Sequence, residues 1–326
     1  MSKLFLFLIF TFFTLSITYA KEVVFTHKNN HLSGHYLKPT NGNSPKAVLI
    51  FVHGDGAMPY DAKGYYDFIW EPLRKRGYAI FSWDKPNVNN STGNWLNQSM
   101  QDRQALVLEA VKFIKNKYHF STKNIGLIGF SQAGWVVPAL LGKNSKVGFG
   151  IGIGFAKDWI EQSKYHTKNR HKLAKATKNQ VDLAVKSYLK EIEFFKDNPP
   201  YSKYVKFAGK KAMSKQRYNF VLKNYLLDAT KDYHNIHKPA LFLWGEKDLN
   251  VDASYELKWW EKHPNKFVTT RLISNASHEM LKADIFSKQN IGLTQWLKLM
   301  WLGQDAFAVD FLPTIIKWLD EQNINP

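Results

Sequence analysis

A hydroxyl of ordinary acidity attacks a carbonyl only when a base removes its proton and an acid orients that base. Ser131, His278 and Asp248 are the candidates for these three parts. Ser131 stands in Gly129-Phe130-Ser131-Gln132-Ala133-Gly134, between an apolar run and a segment with helical spacing. A strand that turns sharply into a helix lifts its serine above the sheet, and it needs small residues two positions either side. The pattern asks for glycine at 133, where this chain has alanine, the least bulky substitute. An ordinary turn with a capping serine is the competing reading. Asp248 lies in Gly245-Glu246-Lys247-Asp248-Leu249-Asn250, just past an apolar run, with Glu246 and Asp252 as rival acids. His278 follows the next run, in Ser274-Asn275-Ala276-Ser277-His278-Glu279.

The negative oxygen formed during such an attack must meet fixed donors, which backbone amides supply without reorganising. His53-Gly54-Asp55-Gly56 ends the first long apolar run, where glycines permit a tight turn beside the nucleophile. The amides of Asp55 and Gln132 are the expected donors, and the His53 side chain is read as structural. Other chemistries find less support. The 11 histidines include no H-E-x-x-H or comparable cluster, so no metal site is expected; His234 and His237 are read as surface residues. No glycine signature for phosphate follows a strand, and Gly150-Ile151-Gly152-Ile153-Gly154 reads as a close-packed strand; no cofactor is expected.

These residues need elements to hold them. Ala47–Val52 and Tyr78–Trp83 are apolar runs without alternation, as strands buried on both faces require, and Asn124–Phe130, the glycine-laced Phe149–Phe155, Ala240–Trp244 and Phe267–Ile273 read as further strands. Tyr65–Arg76, Gln104–Lys117, Gln132–Leu141 and Val309–Glu321 read as helices, and Glu22–Phe25 with His35–Leu37 as an antiparallel lead-in. The alternation predicts an α/β class fold, a doubly wound and mostly parallel sheet. Residues 157–237 break the pattern with amphipathic segments such as Val181–Phe195, and read as a helical cap inserted over the strands' C-terminal ends. The expected organisation is a signal at 1–20, a core at 21–156 and 238–326, and the cap between.

With these motifs in place, the chain resembles the α/β-hydrolase superfamily, and more closely bacterial esterases and serine aminopeptidase-like hydrolases. The marks are His53-Gly54-Asp55-Gly56, Asp84 followed by Ser91-Thr92-Gly93, Gly129-Phe130-Ser131-Gln132-Ala133-Gly134-Trp135, Gly245-Glu246-Lys247-Asp248 and Ser277-His278. They span Ala47 to the C-terminus outside the cap, in the family's chain order of Ser, Asp, His. The family's D-R-G-x-G-x-S loop reads Asp84-Lys85-Pro86-Asn87-Val88-Asn89-Asn90-Ser91 here, with asparagines where glycines are usual and no arginine to make that residue's interactions. The resemblance implies a carboxylic ester hydrolase working through an acyl-enzyme, with a serine peptidase or thioesterase as alternatives. A noncatalytic binding protein on the same fold is the reading from a different class.

Composition sets the frame. A chain of 326 residues with 44% apolar residues supports one large core without disulfides, and there is no cysteine. Lys3, the apolar run Leu4–Leu15 and Thr18-Tyr19-Ala20 read as a cleaved secretory signal, with a retained membrane anchor as the alternative, implying a periplasmic or secreted bacterial protein. The formal charge of +18 concentrates in the insertion, where 157–237 hold 18 Lys or Arg against 8 Asp or Glu. Such a surface would attract an anionic membrane or polymer, although the scattered lysines also suit a merely solvated face. No nucleic-acid module is recognisable. The expected substrate is a small ester or short peptide.

Overall fold

The computed structural model describes residues 21–289 and 291–322; the signal expected over 1–20 lies outside them. In chain order the elements are β1 (Lys21–His27), β2 (Asn30–Leu37), β3 (Ala47–Val52), α1 (Asp67–Lys75), β4 (Tyr78–Trp83), α2 (Met100–Tyr118), β5 (Ile125–Phe130) and β6 (Phe149–Ile153). Then come α3 (Trp159–Leu173), α4 (Lys178–Phe195), α5 (Tyr201–Ala208), α6 (Lys215–Asn224) and α7 (Thr230–His234). The chain finishes with β7 (Ala240–Gly245), α8 (Ala253–Lys262), β8 (Val268–Ile273), α9 (Leu293–Leu302) and α10 (Phe311–Glu321).

One eight-stranded sheet runs in the order β1-β2-β4-β3-β5-β6-β7-β8. β1 and β2 are antiparallel to their neighbours, and the other six strands are parallel. The apolar runs follow from this placement. Val48, Ile50 and Val52 enter one core with α2 and the inserted helices, whereas Ala47, Leu49 and Phe51 enter the other with α1 and α10. A strand that feeds two cores has no polar face to alternate. The sheet matches the doubly wound, mostly parallel architecture read from the sequence.

α2 shows how local chemistry sets a boundary. Ser99 accepts from the Asp102 amide and Asp102 returns the bond to Ser99 N, a reciprocal cap that starts the helix at Met100. Its buried stripe is Met100, Arg103, Leu106, Val107, Ala110, Val111 and Ile114. An arginine on that otherwise apolar stripe is the exception.

Gln132–Leu141 is not the continuous helix its spacing suggests. It forms two short 3-10 turns, Ser131–Trp135 and Pro138–Leu141, with Val136 at φ −121° between them. Pro138 removes an amide, and the segment is pressed tightly onto β5 and Phe155. β6 also stops at Ile153 instead of reaching Phe155, because Gly154 turns left-handed at φ +63°. The five helices α3–α7 stand between β6 and β7 in the chain.

Candidate active site

β5 delivers Ser131 to the C-terminal edge of the sheet with φ +49°, a left-handed conformation unusual for a residue with a side chain. Crowding explains the small neighbours. A Cβ on Gly129 would lie 2.7 Å from Val137 Cγ2 and 2.9 Å from the Ala133 Cβ, so the alanine fits because the residue facing it has none. The His53–Gly56 loop packs against the serine from the β3 side, where a Cβ on Gly54 would sit 3.4 Å from Ser131 Cβ.

On the other side, β6 pairs Ile153 with Phe130, and the following Gly154 supports the His278 ring: a Cβ there would approach its Cε1 to 2.9 Å. The imidazole therefore stands above the strand end next to the serine's own, a separation of about 4.8 Å between neighbouring strands. His278 Nδ1 donates to Asp248 Oδ2 at 2.7 Å. The other oxygen of Asp248 accepts from the amides of Asn250 and Val251 at 2.7 and 2.8 Å, and its side chain is fully buried. Glu246 is turned to Lys247 and the Asn275 amide, and Asp252 caps α8 by accepting from Tyr255 N, so both rival acids are engaged elsewhere.

Burial works against a charged His278 ring, but the adjacent Asp248 carboxylate and then Glu279 outweigh it and raise the pKa to about 9. His53 takes the opposite course. It is buried, its Nε2 donates to the Trp83 carbonyl at 2.6 Å, and desolvation aided by Lys85 lowers its pKa to about 3. It is a neutral structural ring tying β3 to β4.

A network that the sequence does not announce surrounds the expected oxyanion donors. Lys85, in the arginine's place, donates to the carbonyls of Gly54 and Gly56 at 2.7 and 2.9 Å. Arg103 donates to the His53 carbonyl and, at 2.7 Å, to Gln132 Oε1. Gln132 Nε2 reaches Asp55 Oδ1 at 3.2 Å. From α6, Arg217 grips the same carboxylate with two bonds of 2.9 and 2.8 Å, its guanidinium lying over Phe220 and Trp95. Burial alone would raise the pKa of Asp55, but Arg217 and Lys85 hold it below the usual range. In the loop after β4, Asn87 and Asn89 adopt φ +66° and +46°, the conformations for which glycine is the common choice. Arg103 carried a signal, being a charge on the apolar stripe of α2; Arg217 carried none, since it meets Asp55 across 162 residues.

The insertion touches the acid loop as well. Tyr165 and Asn169 of α3 donate to the carbonyls of Asp248 and Leu249 at 2.8 and 3.1 Å. Beside His278 opens a cleft of about 460 Å³ whose walls include Leu173, Leu249, Phe286 and Gln289. The Tyr65 hydroxyl donates to the Glu279 carbonyl at 2.8 Å, fixing the histidine loop to the segment before α1.

A central parallel sheet, a left-handed serine at the end of β5 and an acid–histidine pair past β7 and β8 together define the α/β-hydrolase fold, and that is the fold of this chain. No protein-family model and no curated protein sequence matches it, but many solved structures do. The esterase Pf2001 of Pyrococcus furiosus superposes with a TM-score of 0.57 at 18% identity, covering 93% of this chain and 90% of that one. Proline iminopeptidase of Mycobacterium smegmatis gives 0.56 at 13%, covering 93% and 98%. XC6422 of Xanthomonas campestris, described as a serine hydrolase without a lid, gives 0.50 at 14%, covering 89% and 94%.

Proposed function

We propose that the chain is an exported serine hydrolase that cleaves carboxylic esters through an acyl-enzyme. The observation that carries this reading is the 2.7 Å contact between Asp248 and His278, one strand end away from a serine held at positive φ. Ser131 Oγ attacks the ester carbonyl while His278 Nε2 takes its proton, and Asp248 keeps Nδ1 protonated and stabilises the imidazolium. The amides of Asp55 and Gln132 receive the oxyanion. The proton then passes to the leaving alcohol, and water repeats the sequence on the acyl group. Export rests on the apolar leader at 1–20, and contact with an anionic envelope surface on the basic insertion.

A peptidase reading uses the same residues, and the likeness to a proline iminopeptidase, close in degree to that with the esterase, favours keeping it in the test. Hydrolysis of short and long p-nitrophenyl esters is measured beside aminoacyl p-nitroanilides, with Ser131→Ala as control. Ester turnover lost in the variant is expected. Anilide turnover alone moves the assignment to a peptidase, and turnover independent of Ser131 sinks the mechanism.

A further inference from the structure

Two buried basic side chains lie behind the expected oxyanion donors, and both are hydrogen-bonded to uncharged groups. Lys85 is 3% exposed and Arg103 6%. The carboxylate next to Lys85 in sequence, Asp84, accepts instead from the Tyr60 amide and the Asn89 side chain. The Lys85 amine donates to Gly54 O and Gly56 O and lies 4.8 Å from the centre of the Trp95 ring. Burying an ammonium is costly, so a lysine placed here needs its carbonyl partners as much as they are held by it.

The peptide plane turns this contact into an orientation. In a trans peptide the C=O and N–H point in opposite directions. A Gly54 carbonyl fixed on Lys85 therefore aims the Asp55 amide away from it. The second bond, to Gly56 O, clamps the far end of the same turn, so the Asp55 amide is fixed on both sides. Arg103 repeats the device one peptide earlier on the His53 carbonyl and also holds the Gln132 side chain. A hydrogen bond to the carbonyl further polarises the peptide, making its N–H a better donor to an anion.

We propose that Lys85 is a positioning residue for acyl transfer: through the carbonyls of Gly54 and Gly56 it presents the Asp55 amide to the oxygen of the tetrahedral intermediate. This rests on the serine-hydrolase reading above. Its role is confined to the transition state, since the substrate carbonyl carries little charge before attack.

The test compares Lys85→Met, Lys85→Gln and Lys85→Arg with the parent in ester hydrolysis, with far-UV circular dichroism to confirm folding. Affinity for an alkyl trifluoromethyl ketone, whose serine adduct carries the oxyanion, is measured in parallel. Removing one oxyanion donor costs about 10²–10³ in kcat, and a donor left unaimed sets a loss of roughly 10-fold or more for Lys85→Met. KM stays within about twofold, ketone affinity falls by a factor similar to kcat, and Lys85→Arg recovers most of both. Should Lys85→Met not fold, Lys85→Gln carries the same comparison. Lys85→Met or Lys85→Gln folding with kcat and ketone affinity unchanged overturns the proposal, as does a loss appearing in KM alone. Failure of the underlying reading is separate: it shows as turnover that survives Ser131→Ala.

Discussion

At the scale of single residues, the charge on His278 sets the expected pH dependence. A base must be neutral to accept the serine's proton, and its neighbours hold this ring protonated up to about pH 9. kcat/KM for an ester should therefore rise as pH increases, with a midpoint near 9 in the free enzyme. Asp248→Asn removes the stabilising charge, so the midpoint should move down while kcat falls by about 10⁴, the loss known for this change of partner. A midpoint unmoved by the substitution would separate His278 from Asp248 functionally. Ser131, Asp248 and His278 stood out in the sequence because each sits in a short motif at the end of an apolar run, and the structure joins the last two in one hydrogen bond. Lys85 and Arg217 did not, because what they do depends on carbonyl and carboxylate groups brought near only by the fold. In the sequence, position 85 shows only that the family's arginine is missing, whereas the structure gives Lys85 two hydrogen bonds to the loop beside Ser131.

At the scale of elements, the fit of β5 against the turn after Ser131 leaves no spare volume. Gly129→Ala would set a methyl group 2.7 Å from Val137 Cγ2 and 2.9 Å from Phe155 Cζ, and overpacking of this kind costs about 1–3 kcal/mol. Thermal unfolding should show a lower Tm; an unchanged Tm would mean the turn can shift at no cost. The same crowding is why the segment after the serine departs from the expected helix, since periodicity reports which residues are apolar but not how closely a neighbouring strand approaches. α6 raises a different question. Its Arg217–Asp55 pair is partly exposed, and such pairs contribute about 0–1 kcal/mol, so Arg217→Met should move Tm by no more than about 2–4 °C. Its effect should fall on KM, with kcat little changed, because the pair joins the insertion to the loop while Lys85 still holds the amide. Steady-state kinetics distinguish this pattern from the kcat loss expected at Lys85.

For the molecule as a whole, fold class was legible because the alternation of buried strands and helices repeats over most of the chain. The charge of +18 has a consequence that can be measured on the intact protein. Vesicles rich in phosphatidylglycerol should retain it at low salt and release it as ionic strength rises, the screening length being about 10 Å at 0.1 M and about 3 Å at 1 M. Retention by neutral phosphatidylcholine vesicles to the same degree would remove the electrostatic explanation. The sheet order also has a bearing on time. β3, β4 and β5 are joined by crossovers that each carry one α-helix, whereas β7 takes its place beside β6 only after five helices have intervened. Contacts between distant segments form late, because the loop between them must close first. The chain can thus build the strand that leads into Ser131 before it has placed Asp248 and His278. On refolding, the strand signal should return ahead of catalytic competence, and the interval between them belongs to the helices that separate β6 from β7.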